Sequence, residues 1–594
     1  MIQPVDVTKR FFSFNDLSLD KEGERNMKIK AFISLCAALV ASSTSLCFAS
    51  EKKSAEALQQ DIVILVTSDV HCGIDQGFGY VGLEQIRETL EEYGDYTILV
   101  DDGDSIQGEP IGMLTKGEAI IDLMNAMEYD VAIPGNHEFD YGLDTFMELT
   151  RRADFPYISC NFNIEGELLF PPYVIKDVNG TKIAFVGVTT PTTITRSTPK
   201  YFQDEDGNFI YSFLQEDETG EKLYEAVQSA VDAAREEGAD YVIAMAHLGN
   251  EAECEPWNYE NVLSNVSGID VMVDGHSHDT DQVIMKDEAG HDVVRMAVGT
   301  KLNGIGSIRI CPEDGSITYD FYSWTNDVPL PDLVGLQNDM TGPIEEETGG
   351  LETELQQIIA KAAVDLVAYD PEAVDKNGVP IRIIRRTETN LGDFVADAFL
   401  YATGADIAIV NSGGIRTDIS DGEITYEDLL KVEPFSNEIF VIEATGQQIL
   451  DALEWGAKAV PEEFGGLLQV AGLTYEIHTD IESSCAADEN GMFAGVNGEY
   501  RVQNVMIGDE PLDPEKTYSV ASQDYILILN GEGFTMFDDC NVLQEGTVSD
   551  NQALMQYLAG PLEGVVSDEY SNPYGQGRII GVDGSAEAAE GHES

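Results

Sequence analysis

Five short apolar runs in the first half of this chain each finish in a side chain that can hold a cation, and that coincidence restricts the fold. Ile62 to Thr67 leads to Asp69 and His71, Tyr96 to Val100 to Asp104, and Val131 to Ile133 to Asn136 and His137. Tyr241 to Ala246 ends in His247, and Ile269 to Val273 leads to His276 and His278. Short apolar runs closed by polar residues and glycine read as buried strands, and in largely parallel sheets functional groups collect where the strands end. The chain has only 8 histidines, so finding most of them at these positions predicts a metal site built on strand ends.

Such a site must work inside a very acidic molecule. Asp plus Glu number 108 against 33 Lys plus Arg, a formal charge of −75. A surface of that sign repels nucleic acid polymers and anionic membranes, so a phosphate-bearing substrate has to be attracted by local cations. The charge itself reads as a solvated surface that keeps the protein soluble.

From Met27 the chain reads Met-Lys-Ile-Lys, then an apolar stretch from Ala31 to Leu46, then Cys47-Phe-Ala49 before Glu51. A basic start, an apolar centre and a small residue at the end form a signal peptide cleaved after Ala49, so the mature protein is expected to be secreted or extracytoplasmic. Residues 1–26 do not fit in front of it, which points to Met27 as the start. The stretch is short and polar for a membrane anchor, and no other span suits a bilayer, so no transmembrane anchor is expected in the mature chain. Six cysteines remain after processing, scattered and without a Cys-x-x-Cys pair, and they do not make a disulfide framework. Cys72, beside His71, reads as a small buried residue.

Composition divides the rest. Residues 57–324 alternate strand-like and helix-like stretches, the pattern of helices covering sheets. Residues 325–369 read as a linker rich in proline and glycine followed by a connecting helix from Glu352 to Val367. A second α/β unit spans 370–582, and 583–594 form an acidic tail.

Asp69, His71, Asp104, Asn136, His247, His276 and His278 exceed what one ion requires. Imidazole with carboxylate and amide oxygen suits Zn, Mn, Fe or Co, and seven such groups can serve two divalent ions about 3.5–4 Å apart. In the second unit Asn411-Ser-Gly-Gly-Ile-Arg416 follows the strand-like Asp406 to Val410. Its glycines let backbone approach a ligand while Arg416 clamps an anion.

With these motifs the chain resembles a known family. Asp69-x-His71, Gly103-Asp104, Gly135-Asn-His-Glu-Phe-Asp140, His247 and Gly275-His-Ser-His278 are similar to the metallophosphoesterase domain. Thr389-Asn-Leu-Gly392, Asn411 to Arg416, Glu433-Pro-Phe-Ser436 and Gly531-Glu-Gly-Phe534 resemble the substrate domain of secreted bacterial 5′-nucleotidases, a family that also holds UDP-sugar hydrolases, 2′,3′-cyclic nucleotide phosphodiesterases and a thiosulfohydrolase branch. The resemblance implies a four-layer α/β/β/α sandwich followed by an α/β substrate-binding domain, and domain closure onto the substrate. It implies one metal on Asp69, His71, Asp104 and His278 and a second on Asp104, Asn136, His247 and His276, with Asp104 shared.

By the same resemblance His137 stands beside the phosphate, oriented by Asp140, while a metal-bridging hydroxide attacks phosphorus. Asn411 and Arg416, joined by Arg385 or Arg386, contact the substrate, and Phe435 stacks a nucleobase. Tyr525 is the expected second wall, with Ile526 as the alternative, and Glu532 stands where relatives carry an aspartate that hydrogen-bonds a ribose. The leading reading is a 5′-nucleotidase. A 2′,3′-cyclic nucleotide 2′-phosphodiesterase with 3′-nucleotidase activity and a UDP-sugar hydrolase are enzymatic alternatives, and a binding protein with a vestigial metal site is the remote one. The oligomeric state stays open.

Overall fold

The computed structural model describes residues 60–583 apart from 205, 218, 251–253, 325–335, 375–379 and 547. The expected signal peptide and most of the acidic tail lie outside the described residues. Among those described, no helix is long and apolar enough to cross a membrane.

The five runs are strands, but they sit in two sheets rather than one. The first sheet orders Ser316–Ser323, Gly304–Cys311, Ile62–Thr67, Tyr96–Asp101 and Val131–Ala132, the last three parallel. The second orders Thr280–Lys286, Asp292–Val298, Val271–Asp274, Tyr241–His247, Thr181–Thr189 and Tyr173–Val178, with its four central strands parallel. Ile62, Ile64, Val66, Ile98 and Val100 pack against Ile243, Met245, Val271 and Val273, so the sheets share one apolar core. On the far side of the second sheet, Leu223, Val227, Val231 and Ala234 of helix Glu221–Glu236 cover Ala184, Val186, Val242 and Ala244. Both faces of the central strands are therefore buried, which is why their sequences are continuously apolar rather than alternating.

The second unit is built on a sheet ordered Leu468–Ala471, Ile407–Asn411, Thr517–Gln523, Ile439–Thr445 and Asn541–Gln544. Helices Asn390–Thr403 and Asp550–Ala559 cover one face through Leu391, Phe394, Val395, Leu554 and Leu558. Helix Gly446–Gly456 covers the other through Ile449, Leu453 and Trp455.

Two expectations are corrected. Glu352 to Val367 is not one helix: helix Glu352–Leu355 is followed by strand Ile358–Ala362, which pairs with Gly422–Thr425 and Val565–Val566. The β-branched pair Ile358-Ile359 and the available sheet edge outweigh the helical spacing. The stretch read as a plain linker also contains helix Thr341–Thr348. In addition, Thr389-Asn-Leu-Gly392 is a structural cap. The Thr389 hydroxyl accepts from Gly392 N, and the Asn390 amide donates to Asp365 O and Tyr570 O.

Candidate active site

Parallel strands place their C-terminal ends on one side, and five of those ends lead to candidate ligands, Val131–Ala132 to Asn136 among them. Asp69 and His71 follow Ile62–Thr67, Asp104 follows Tyr96–Asp101, His247 closes Tyr241–His247, and His276 and His278 follow Val271–Asp274. Asp69, His71, Asp104, His276 and His278 all take positive φ, between 45° and 77°. That conformation is costly for residues with a Cβ, and its concentration here marks a site that the surrounding fold enforces. Glycines make the close approaches possible. A Cβ on Gly135 would fall 2.3 Å from Asp104 Oδ1, and one on Gly275 would fall 2.4 Å from Ser68 Oγ.

The side chains converge. His71 Nε2 lies 3.1 Å from His278 Nε2 and 4.0 Å from Asp104 Oδ2. His247 Nε2 is 3.0 Å from Asp104 Oδ2 and 3.9 Å from Asp69 Oδ1, and His278 Nε2 is 3.5 Å from Asp69 Oδ1. Two triads, Asp69–His71–His278 and Asp104–His247–His276, each bring their donor atoms within 4.8 Å of one another, and Asp104 faces both groups.

The tautomers show what the cluster needs. His71 Nδ1 donates to Gln107 O at 2.8 Å, which leaves its Nε2 as a lone pair aimed inward, while His247 Nδ1 donates to Asp102 O at 2.8 Å and the carboxylates of Asp104 and Asp69 hold this imidazole well above its ordinary range, against its burial. Burial holds His71 and His278 well below the ordinary imidazole range, so a proton does not reconcile their two facing nitrogens. Burial likewise lifts Asp69 to about 7. Asn136 Oδ1 is buried with no hydrogen-bond partner. Converging lone pairs, crowded carboxylates and an orphaned amide oxygen fit divalent cations.

Beside the cluster, the His137 backbone N–H donates to Asp104 Oδ1 at 2.8 Å, and its Nδ1 donates to Asp140 Oδ2 at 2.6 Å. Ser197 Oγ donates to the other Asp140 oxygen at 3.2 Å, fixing the carboxylate from behind. Burial raises Asp140, against the pull of His137. His137 also lies within metal-binding reach of His71 and Asp104. Glu138, which the sequence reading passed over, accepts from Asp104 N, Ser105 N and Gly135 N at 2.7–2.8 Å and so ties two ligand loops together.

The expected substrate residues face the same space. A cavity of about 620 Å³ is lined by Asp104, Asn136, His137, His276 and His278 from the first unit and by Arg385, Arg386, Asn411, Arg416, Phe435, Tyr525 and Glu532 from the second. The Arg416 guanidinium carbon lies 5.8 Å from the Phe435 ring centroid. Burial and the neighbouring Arg382 and Arg385 lower Arg416 to about 9, a mark of concentrated positive charge awaiting an anion. Arg386 forms a 3.0 Å ion pair with Glu463. Ile526 is fully buried, whereas Tyr525 lines the cavity and donates to Arg196 O at 3.2 Å. Glu532 sits at φ 52° with its carboxyl against Gly413 and Gly465.

Two further lining residues went unread in the sequence, Arg382 and Tyr369, joined by a 2.8 Å hydrogen bond from guanidinium to phenol oxygen. A basic residue three positions before Arg385 was the available signal. A larger cleft of about 1310 Å³, lined by Asn163, Tyr211, Asn490 and Asp538 among others, contains none of the seven candidate ligands, so size alone does not mark the site.

A buried cluster of histidine and carboxylate groups opening into an arginine-lined cavity, on this two-sheet scaffold, defines a metal-dependent phosphoester hydrolase. Residues 62–280 match the calcineurin-like phosphoesterase domain and residues 359–539 match the 5′-nucleotidase C-terminal domain. The chain therefore carries both the calcineurin-like phosphoesterase domain and the 5′-nucleotidase C-terminal domain, in that order.

Among relatives, it is 28% identical over 536 residues to Protein UshA of Yersinia enterocolitica, covering 84% of this chain and 90% of that one. It is 27% identical over 528 residues to the trifunctional nucleotide phosphoesterase protein YfkN of Bacillus subtilis, covering 81% of this chain but only 32% of that longer protein. The crystal structure of a 5′-nucleotidase precursor from Thermus thermophilus superposes with a TM-score of 0.69 at 26% identity, covering 88% of this chain and 99% of that one.

Proposed function

We propose that this protein is a secreted, dinuclear-metal phosphohydrolase that releases phosphate from nucleoside 5′-monophosphates. The observation that carries this reading is the shared cavity: one wall offers His and Asp donors, the other offers arginines and the rings of Phe435 and Tyr525. A phosphate joined to an aromatic base matches both walls at once.

Asp69, His71, Asp104 and His278 would hold one cation, and Asp104, Asn136, His247 and His276 the other. When bound, the cations supply activated water and neutralise phosphoryl charge. The chain's own residues do the rest. Asp140 fixes His137 through Nδ1, so Nε2 is the nitrogen left to serve the phosphoryl or leaving oxygen as charge builds there. Arg416, joined by Arg385 or Arg386, attracts and orients the anion against the strongly negative field of the whole molecule. Phe435 and Tyr525 hold the base, with Asn411 and Glu532 beside it. Export through the signal peptide would put the activity outside the cytoplasm, consistent with a role in retrieving phosphate and nucleosides.

The experiment is a phosphate-release panel of AMP, UMP, 3′-AMP, 2′,3′-cyclic AMP, UDP-glucose and ATP with Mn or Zn. The proposal requires the 5′-monophosphates to be preferred. Preference for the cyclic ester or the UDP-sugar would move the protein to another branch of the family, and no turnover with any metal would leave the vestigial-site reading.

A further inference from the structure

We infer that Glu109 is a positioning residue that couples the loops holding Asp69 and His71 to the helix leading into Phe435, and so sets the substrate clamp against the metal cluster. The inference rests on the reading of the site given above.

Glu109 is 7% exposed and belongs to the loop that encloses His71. Its backbone N–H donates to His71 O at 3.0 Å, and two residues earlier Gln107 O receives the His71 ring N–H. Between them Gly108 passes so close that a Cβ would lie 2.4 Å from His71 O. A shift of this loop therefore moves the His71 ring. The Glu109 carboxylate then reaches in two directions. Oε1 is 2.6 Å from Lys301 Nζ, and Lys301 is itself fastened to the first ligand loop by its backbone N–H, which donates to Asp69 O at 2.9 Å. Oε2 is 3.3 Å from Lys431 Nζ in the second domain, an ammonium that Glu427 Oε1 of the same helix also holds at 2.7 Å.

Lys431 sits in the last turn of helix Tyr426–Val432, and the chain runs from that helix directly into Glu433-Pro-Phe435. The Glu109 bridge thus spans two ligand loops and the segment carrying the clamp ring. The carboxylate is buried while Lys301 and Lys431 are about a third exposed, so removing one partner costs less than breaking a fully buried pair but still leaves the carboxylate under-compensated. Two lysines on one carboxylate is also a concentrated use of cations in a chain with 33 basic and 108 acidic residues.

The test uses the mature full-length protein as wild type, E109Q, K431M and E109Q/K431M. Cobalt(II) affinity is measured by direct titration, and kcat and KM are measured on AMP and on a simple aryl phosphate that has no base. K431M is expected to raise KM for AMP at least fivefold while kcat/KM for the aryl phosphate stays within twofold. E109Q is expected to do the same and also to weaken cobalt binding at least fivefold, with the double variant within twofold of E109Q. Additive effects in the double variant, equal losses on both substrates in K431M, or unchanged cobalt affinity in E109Q would overturn it. A wild type inactive on AMP would instead count against the functional reading, and the cobalt titration would still decide whether Glu109 positions the cluster.

Discussion

His137 and Phe435, one from each domain, face each other with ring centroids 6.0 Å apart and planes inclined by 31°. The ring assigned to the phosphate and the ring assigned to the base therefore stand on either side of one cavity. That spacing makes the roles separable by mutation.

Removing the His137 imidazole should cost turnover and not metal. His137→Ala is expected to lower kcat by a factor of about 10²–10⁴, the range for a positioned acid or base, with metal content per chain unchanged. Kinetics paired with elemental analysis checks this; an equal loss of metal would make His137 a ligand, which its proximity to His71 and Asp104 allows. Ser197→Ala should give a smaller loss of the same kind, because Ser197 acts on Asp140 rather than on substrate.

Base recognition should fail on the other wall. Phe435→Ala is expected to weaken nucleotide binding by roughly 1–3 kcal/mol, the worth of one base–aromatic stack, which is about five- to 150-fold in KM. An aryl phosphate that does not use the clamp should be hydrolysed with kcat/KM within about twofold of wild type. Equal losses on both substrates would place Phe435 in the packing of the site.

Truncating Arg416 removes a half-buried cation from the proposed anion site. Arg416→Ala should lower kcat/KM for AMP by about 2 kcal/mol or more, roughly thirtyfold, with Arg416→Lys only partly restoring it because a point charge lacks the planar fork. Arg382→Ala is expected to show a loss of the same sign. Steady-state kinetics at fixed ionic strength measures both.

The candidate ligands were legible because each lies within a few residues of an apolar strand whose direction is set by its parallel neighbours. Local sequence was enough to gather Asp69, His71, Asp104, His247, His276 and His278 at one edge. Arg382 and Tyr369 were not legible, since their approach to the cavity depends on how a loop folds back, and no periodicity records that. The part Glu138 plays was not legible, since two of its three backbone hydrogen bonds come from Asp104 and Ser105, more than thirty residues away in sequence. The stretch from Glu352 shows the opposite failure: a helical spacing was present, and strand pairing to residues beyond 420 and 560 decided the outcome.

Stability should fall with rising pH at a pair of buried carboxyls in the second domain. Burial raises Glu433 well above the carboxylate range and Asp550 to about 8, so the folded chain holds protons that the unfolded chain has released. Their contribution is complete below about pH 4 and is lost as pH rises through the folded values, because stability declines wherever the native state binds more protons. Thermal melts of the chelated protein between pH 5 and 9 should show the decline, and Glu433→Gln should flatten it. A melting temperature that rises across this range would contradict the assignment.

Seven side chains are proposed to hold two divalent cations on which hydrolysis depends. The direct measurement is metal stoichiometry of the purified mature protein alongside phosphate release, before and after chelation and on adding Mn or Zn back. Two equivalents per chain, with activity abolished by chelator and restored in step with the returning metal, is the expected result. Hydrolysis that persists in fully chelated protein, or a chain that binds no divalent metal at all, would contradict it.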